Sequence, residues 1–194
     1  MFIFKNNILI ATIDIEDEIK QNTNEVISDL NSFGINTSLL SGDKKEKCKY
    51  LSDKISFNSV YSEQLPHEKL EIIKQRSLSE TTAMVGDGVN DAPSLSIASV
   101  GISVGGSTGV AIQSSDVVLL NKNNLKQLTT ALKISKHTFL TIKQNLFWAF
   151  AYNIVAIPIA AMGYLNPMWG ALFMAFSDVI VIGNSIRLKY KKLD

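Results

Sequence analysis

Apolar and polar positions alternate in short blocks over the first 120 residues, and one long apolar block follows residue 145. Ile8–Ile13 is a short apolar run with β-branched residues, which predicts a buried strand. Over Asp17–Phe33, Ile19, Val26, Leu30 and Phe33 fall at helical spacing, with Gly34 as a stop. Asn36–Leu40 reads as a second strand and ends at Ser41-Gly42-Asp43. Lys44–Ile55 follows as a helix, Val60-Tyr61 as a short strand and His67–Gln75 as another helix. Thr82–Val85 is a strand that runs into Gly86-Asp87-Gly88. Asp91–Ala98 is a helix, and Gly101–Val104 and Val117–Leu120 are strands. Leu125–Gln144 is a long helix that continues into the apolar block. Strands and helices in alternation predict an α/β fold with a mainly parallel sheet. In such sheets the chemistry gathers at the carboxyl ends of the strands.

The apolar block holds two helices. Leu146–Leu165 is 20 uncharged residues, roughly 30 Å as a helix and about the thickness of a bilayer's hydrocarbon layer. Asn166-Pro167 marks a turn, and Met168–Ile186 is a second run of similar length. Between Leu146 and Ile186 the one charged residue is Asp178. Trp148, Tyr164 and Trp169 stand near the ends, where amphipathic rings favour the interface. Lys126, Lys133, Lys136 and Lys143 precede the pair, and Arg187, Lys189, Lys191 and Lys192 follow it. The connecting loop has no Lys or Arg, so the positive-inside bias puts both ends in the cytoplasm. A buried hairpin in a soluble core is the alternative, but such a hairpin normally keeps a charged outer face.

Composition sharpens this division. The mean hydropathy of +0.13 averages two unlike materials. With 19 Lys+Arg against 18 Asp+Glu, the net charge of +1 gives no support for a nucleic-acid binder. The single cysteine, Cys48, excludes an internal disulfide framework and a multi-cysteine zinc site. No secretory signal is legible over Met1–Ile13.

Candidate chemistry lies at two strand ends and in the apolar block. At Ser41-Gly42-Asp43 a hydroxyl and backbone N–H groups can hold a phosphoryl oxygen. In Gly86-Asp87-Gly88-Val89-Asn90-Asp91-Ala92-Pro93 the glycines permit close approach. Asp87 and Asp91 there offer hard oxygen ligands suited to Mg²⁺, with Asn90 as a neutral neighbour. Lys69 can neutralise a phosphate. On composition alone, Asp/Gly/Asn clusters also make ordinary turns, and Gly105-Gly106-Ser107-Thr108 reads as a loop before a phosphate nest. An ionisable group in a membrane span is a functional hypothesis by default. Asp178 shares a helix face with Met174 and Ser177, at i, i+3 and i+4. Tyr152 and Asn153 offer polar atoms from the other span, so these five residues read as an ion path or as polar glue between helices. Pro158 lies in mid-span, where its missing N–H frees a carbonyl.

The string Gly86–Pro93 resembles the hinge motif of P-type ATPases, Gly-Asp-Gly-x-Asn-Asp-x-Pro, at every fixed position. Ser41-Gly42-Asp43 resembles the family's Thr-Gly-Asp, and Pro66–Lys69 its Pro-x-x-Lys. Lys143–Asn153 is similar to the start of the penultimate membrane helix of the heavy-metal branch, and Asn184–Leu188 to the close of the last helix. The resemblance implies a partial phosphorylation domain of haloacid-dehalogenase type over 1–122 and a connecting cytoplasmic helix over 123–145. It implies membrane helices over 146–165 and 168–188 and a cytoplasmic tail over 189–194. It implies that Asp87 and Asp91 hold Mg²⁺ and that Asn90 helps orient the phosphate. Ser41, Gly42 and Asp43 would line the phosphoryl pocket, with Lys69 stabilising its charge. Tyr152-Asn153 with Met174 and Ser177 resembles copper(I) exporters, in which a second Ser stands where this chain has Asp178. A thioether suits copper(I) or silver, and a carboxylate suits harder ions, so zinc or another divalent metal is the alternative.

The family's phosphorylated aspartate lies in Asp-Lys-Thr-Gly-Thr, and that string does not occur in these 194 residues. The chain therefore resembles a C-terminal fragment, expected to be inactive alone. ATP would bind a domain carried by a partner chain that supplies the missing N-terminal half. Two further readings compete: a membrane-anchored phosphatase of the same superfamily using Asp14, with Asp17 three residues on, or a non-catalytic regulator of a full-length pump.

Overall fold

The computed structural model describes residues 2–6, 8–12, 19–121, 124–164 and 166–191. Asp14 and Asp17 lie outside the described residues. The chain forms two compact units, Met1–Gln127 and Leu128–Asp194.

The first unit opens with strands β1 (Phe2–Lys5) and β2 (Ile8–Thr12), paired antiparallel. Asn6 between them has φ 49°, a left-handed conformation that asparagine tolerates. The expected buried strand over Ile8–Ile13 is corrected here. All five residues of β2 are exposed, Ile8 by 68% and Ile10 by 58%. An apolar run signals surface that is coverable, and among the described residues nothing covers this hairpin.

Helix α1 (Thr23–Ser32) buries Val26 and Leu30. It is shorter than the periodicity suggested, because Asn22 at φ 64° breaks the backbone before it. Phe33, expected on its buried face, is its half-exposed C-cap. Gly34 at φ +78° stops the helix as expected. Strand β3 (Ser38–Leu40), helix α2 (Lys45–Lys54), strand β4 (Ser59–Tyr61) and helix α3 (Pro66–Ser79) follow. Then come β5 (Ala83–Gly86), a 3₁₀ turn at Val89–Asp91, α4 (Ala92–Ile97), β6 (Val100–Ser103), α5 (Gly109–Gln113) and β7 (Val117–Val118).

All pairings from β3 onward are parallel, as the alternation implied. The strands form two ladders, β3-β4 and β5-β6-β7. Among the described residues no backbone hydrogen bond joins β3 to β5. Both ladders nevertheless rest on one core. Ile73 of α3, Met84 of β5, Leu95 of α4 and Ala111 of α5 are buried together, and Leu40 of β3 packs against them.

The second unit is a helical hairpin. Helix α6 (Lys126–Ala161) begins at the end of the first unit and runs unbroken for 36 residues, with Pro158 inside. Gly163 at φ 79° turns the chain. Helix α7 (Pro167–Lys189) is capped by Asn166, whose side chain accepts from the Met168 N–H at 3.0 Å. Both helices are long and apolar enough to cross a membrane. None of the apolar window of α7 is buried, which is unlike a soluble core helix.

Candidate functional site

The loops after β3 and β5 carry the candidate chemistry of the first unit, and α3 supplies the cation. The loop after β3 is pinned from both sides. Ser41 N–H donates to the Tyr61 carbonyl at 2.9 Å, Gln64 N–H to the Ser41 carbonyl at 3.0 Å, and Glu63 N–H to the Asp43 carbonyl at 2.9 Å. Within the loop, Ser41 Oγ donates to Asp43 Oδ2 at 2.9 Å and accepts from the Asp43 N–H at 3.1 Å. Lys47 Nζ lies 3.3 Å from Asp43 Oδ1. The Ser41 hydroxyl, aided by the charges of Lys47 and Lys69, holds the Asp43 carboxyl below its ordinary value of 3.8 against a smaller upward push from burial. Since the folded state lowers this pKa, its contribution to stability is present above about pH 3.9 and is lost as pH falls through the lowered native value. Ser41→Ala should therefore return Asp43 upward toward 3.8, as followed by NMR titration of the carboxyl carbon. An unchanged midpoint would remove the hydroxyl from this role.

The hinge after β5 is equally fixed. Val104 N–H donates to the Gly86 carbonyl and Thr108 N–H to the Asp87 carbonyl, both at 3.2 Å. Thr108 also caps α5, so Gly105–Thr108 acts here as a loop that fastens the hinge. Gly86 permits the local fold. A Cβ there would lie 2.9 Å from the Asp91 Cβ and 3.2 Å from its Oδ2. The Asp91 carboxylate therefore lies directly against the end of β5.

Lys69 unites the two loops. It stands in the first turn of α3, which starts at Pro66 and is braced by Glu68 accepting from the Leu65 N–H at 2.7 Å. Its Nζ donates to Asp91 Oδ1 at 3.0 Å, and both side chains are only about 15% exposed. Its charge also acts on Asp43. One ammonium is thus bonded beside the end of β5 and adds a small downward push on the carboxyl at the end of β3. Asp87 is exposed and lies 3.6 Å from Lys20 Nζ. Lys20 had no sequence signal, since it stands before α1 without a periodic or motif context. Asn90 is exposed beside the hinge. Asp87 and Asp91 are hard oxygen donors of the type Mg²⁺ takes, one or two carboxylates with other positions left to phosphate oxygens and water, and each is here paired with a lysine.

In the hairpin unit the five expected ion-path residues separate. Tyr152 and Ser177 line one cleft of about 390 Å³, together with Trp148 and Phe173. Tyr152 Oη donates to the Gly170 carbonyl at 3.2 Å. Asn153 is exposed and donates to the Ala149 carbonyl of its own helix at 2.8 Å. Met174 and Asp178 are exposed on α7, outside the residues that line the cleft.

Comparison with known proteins follows the same division. Residues 3–98 match the family described as haloacid dehalogenase-like hydrolase. The chain is 42% identical over 190 residues to copper-transporting ATPase 2 of Rhizobium meliloti, covering 93% of this chain and 23% of that protein. It is 40% identical over 195 residues to the copper-exporting P-type ATPase of Staphylococcus aureus, covering 100% of this chain and 24% of that one. A zinc-transporting PIB-type ATPase in its E2.Pi state superposes with a TM-score of 0.87 at 26% identity, over 96% of this chain and 31% of that one. The chain spans about a quarter of the length of the curated relatives it matches. With a haloacid-dehalogenase-like parallel fold followed by two long apolar helices, the chain is similar, over nearly its whole length, to about a quarter of a heavy-metal P-type ATPase.

Proposed function

We propose that this chain is the C-terminal part of an ATP-driven heavy-metal exporter, with copper(I) or silver as the ion moved. The observation that carries the reading is Lys69, whose Nζ donates to Asp91 Oδ1 at 3.0 Å beside the carboxyl end of β5 and whose charge helps keep the Asp43 carboxyl low at the end of β3. That is the electrostatics a transferring phosphoryl group needs, since such transfer depends on positioning and charge stabilisation. Asp87 and Asp91 would hold Mg²⁺, which supplies positive charge against the phosphoryl oxygens. Ser41 and the Gly42–Asp43 backbone would bind those oxygens, with Asn90 beside them. ATP would come from a nucleotide domain outside this chain.

The phosphorylated aspartate is also outside this chain. Among the described residues one edge each of β3 and β5 has no ladder partner, and these edges suit one further parallel strand. A strand donated there by the remaining part of the pump would end beside Lys69. The hairpin would cross the bilayer with both ends cytoplasmic, as Lys143, Arg187, Lys189 and Lys191 favour. Tyr152, Asn153, Met174 and Ser177 would form part of the ion path once further helices surround the hairpin. Asp178 favours a second reading, export of zinc or another divalent ion, because its carboxylate is a harder ligand than a serine hydroxyl.

The chain should bind the complementary N-terminal part of a heavy-metal ATPase when the two are co-expressed, and co-purify with it in detergent. Failure to co-purify, with both parts folded, would count against a two-part pump. ATP hydrolysis by the pair should then respond to copper(I). Stimulation by Zn²⁺ alone would favour the second reading.

A further inference from the structure

Polar contacts join α6 to α7 and to the residues just beyond its end; Tyr152–Gly170 is one of them, and the others are spaced by seven residues. Lys191 Nζ lies 3.0 Å from His137 Nδ1 at the open end of the hairpin. Two turns further in, Asn184 Nδ2 donates to Asn145 Oδ1 at 2.8 Å and to Gln144 Oε1 at 3.2 Å. Asn145 Nδ2 donates to Ser185 Oγ at 2.9 Å. The step from His137 to Gln144 is seven residues, and so is the step from Lys191 back to Asn184. Seven residues make two helical turns, the repeat by which antiparallel helices at a shallow crossing stay in contact. One further step of seven on each helix reaches Ala151, with Tyr152 beside it, and Ser177. These three residues line the same cleft.

We propose that the amide cluster of Gln144, Asn145, Asn184 and Ser185 is a register clamp that holds Tyr152 level with Ser177. The chemistry favours this role. Between apolar helices in lipid, side chains such as Leu and Ile set no unique axial position, because sliding exchanges one apolar contact for another. Amide pairs are directional, and a slide of one turn, about 5.4 Å, breaks all of them. Asn145 and Asn184 are half-buried at the contact, whereas Gln144 and Ser185 are exposed. The two asparagines therefore carry the register, and Gln144 and Ser185 complete their hydrogen bonding. These are positioning residues. They act on the proposed ion path only through the level at which Tyr152 and Ser177 meet, so that consequence rests on the transport reading, while the register itself does not.

The test reads register without metal. In the full chain carrying Cys48→Ala, cysteine pairs are introduced at Ala151 and Ser177, which should be level, and at Ala151 and Val181, one turn away. Disulfide formation under mild oxidation is followed by mass-tagging the remaining thiols. The level pair should close about tenfold faster, the preference that one or two interhelical hydrogen bonds supply. With Asn145→Leu and Asn184→Leu together, that preference should fall to within about twofold while helix content holds. Asn184→Gln, which keeps the amide, should restore most of it. A preference that survives the leucine pair would assign the register to apolar packing and overturn the clamp. So would a leucine pair that loses its helix content, since the cluster would then be a folding determinant. Failure of copper(I) transport in an assembled pump with the cross-linking preference intact would count against the ion path and leave the clamp standing.

Discussion

Lys69→Ala is expected to be among the most damaging single changes to this chain, in two separable ways. The Lys69 and Asp91 side chains are 15% and 16% exposed and only 3.0 Å apart. Removing the lysine leaves the Asp91 carboxylate unpaired, which should cost the first unit about 3 kcal/mol, as for other largely buried pairs broken on one side. Replacing both partners with neutral groups of similar shape, as in Lys69→Met with Asp91→Asn, should recover most of that loss. Function should not recover with it. In a pump assembled from two parts, loss of a cation aimed at a transferring phosphoryl group should reduce turnover about 100-fold or more in both variants. Thermal unfolding and ATPase assays on the same two proteins would separate the effects. Equal recovery of stability and turnover in the double variant would make Lys69 a structural residue only.

Gly101→Ala should be the most damaging change away from the site. A Cβ on Gly101 would stand 2.4 Å from the Leu95 carbonyl oxygen and 3.3 Å from that of Ser114. Both atoms are backbone and neither can rotate away. The strand cannot retreat easily. Its Gly101 N–H donates to Asp116 Oδ2 and its carbonyl accepts from the Asp116 N–H, each at 2.8 Å. Overpacking of this kind should cost about 3 kcal/mol, at the upper end for small-to-large changes. Gly109→Ala is the matched control, because nothing lies within 4 Å of a Cβ there. It should be neutral or slightly stabilising, since alanine is the better residue in a helix. Urea unfolding of the two variants would decide it. Equal midpoints would show that the α4–β6 approach relaxes at little cost.

Much of this was legible in the sequence because the signals were local. Gly86–Pro93 and Ser41–Asp43 are strings whose conformation is set by their own glycines and carboxylates. They stand at strand ends where the alternation of elements put them. The uncharged run after Asn145 announced the hairpin, and Asn166-Pro167 announced its turn. What failed depended on context. Ile8–Thr12 has the composition of a buried strand, yet burial is a property of what lies opposite, and no local pattern encodes that. The helix containing Val26 starts late because Asn22 takes a left-handed conformation, which asparagine permits without requiring. Lys20 meets Asp87 across the fold, and sequence spacing carries no trace of that pair. Helical spacing placed Ser177 and Asp178 one turn from Met174 on a single helix. It did not say which of them would turn toward α6, and only Ser177 lines the cleft.

The division of the parallel sheet into two ladders over one core makes the strongest demand on function. Lys69 holds Asp91 and acts on Asp43, but the described residues that surround it include no aspartate in the family's phosphorylation motif. Phosphoenzyme formation tests the account most directly. The chain is purified in detergent and given labelled ATP, Mg²⁺ and copper(I), alone and with the complementary N-terminal part of a heavy-metal ATPase. The expected result is no acid-stable, hydroxylamine-labile label with either part alone, and label on the complementary part when the two are combined, abolished by Asp87→Asn in this chain. Label on this chain by itself would contradict the account and make it a self-contained enzyme with its own nucleophile.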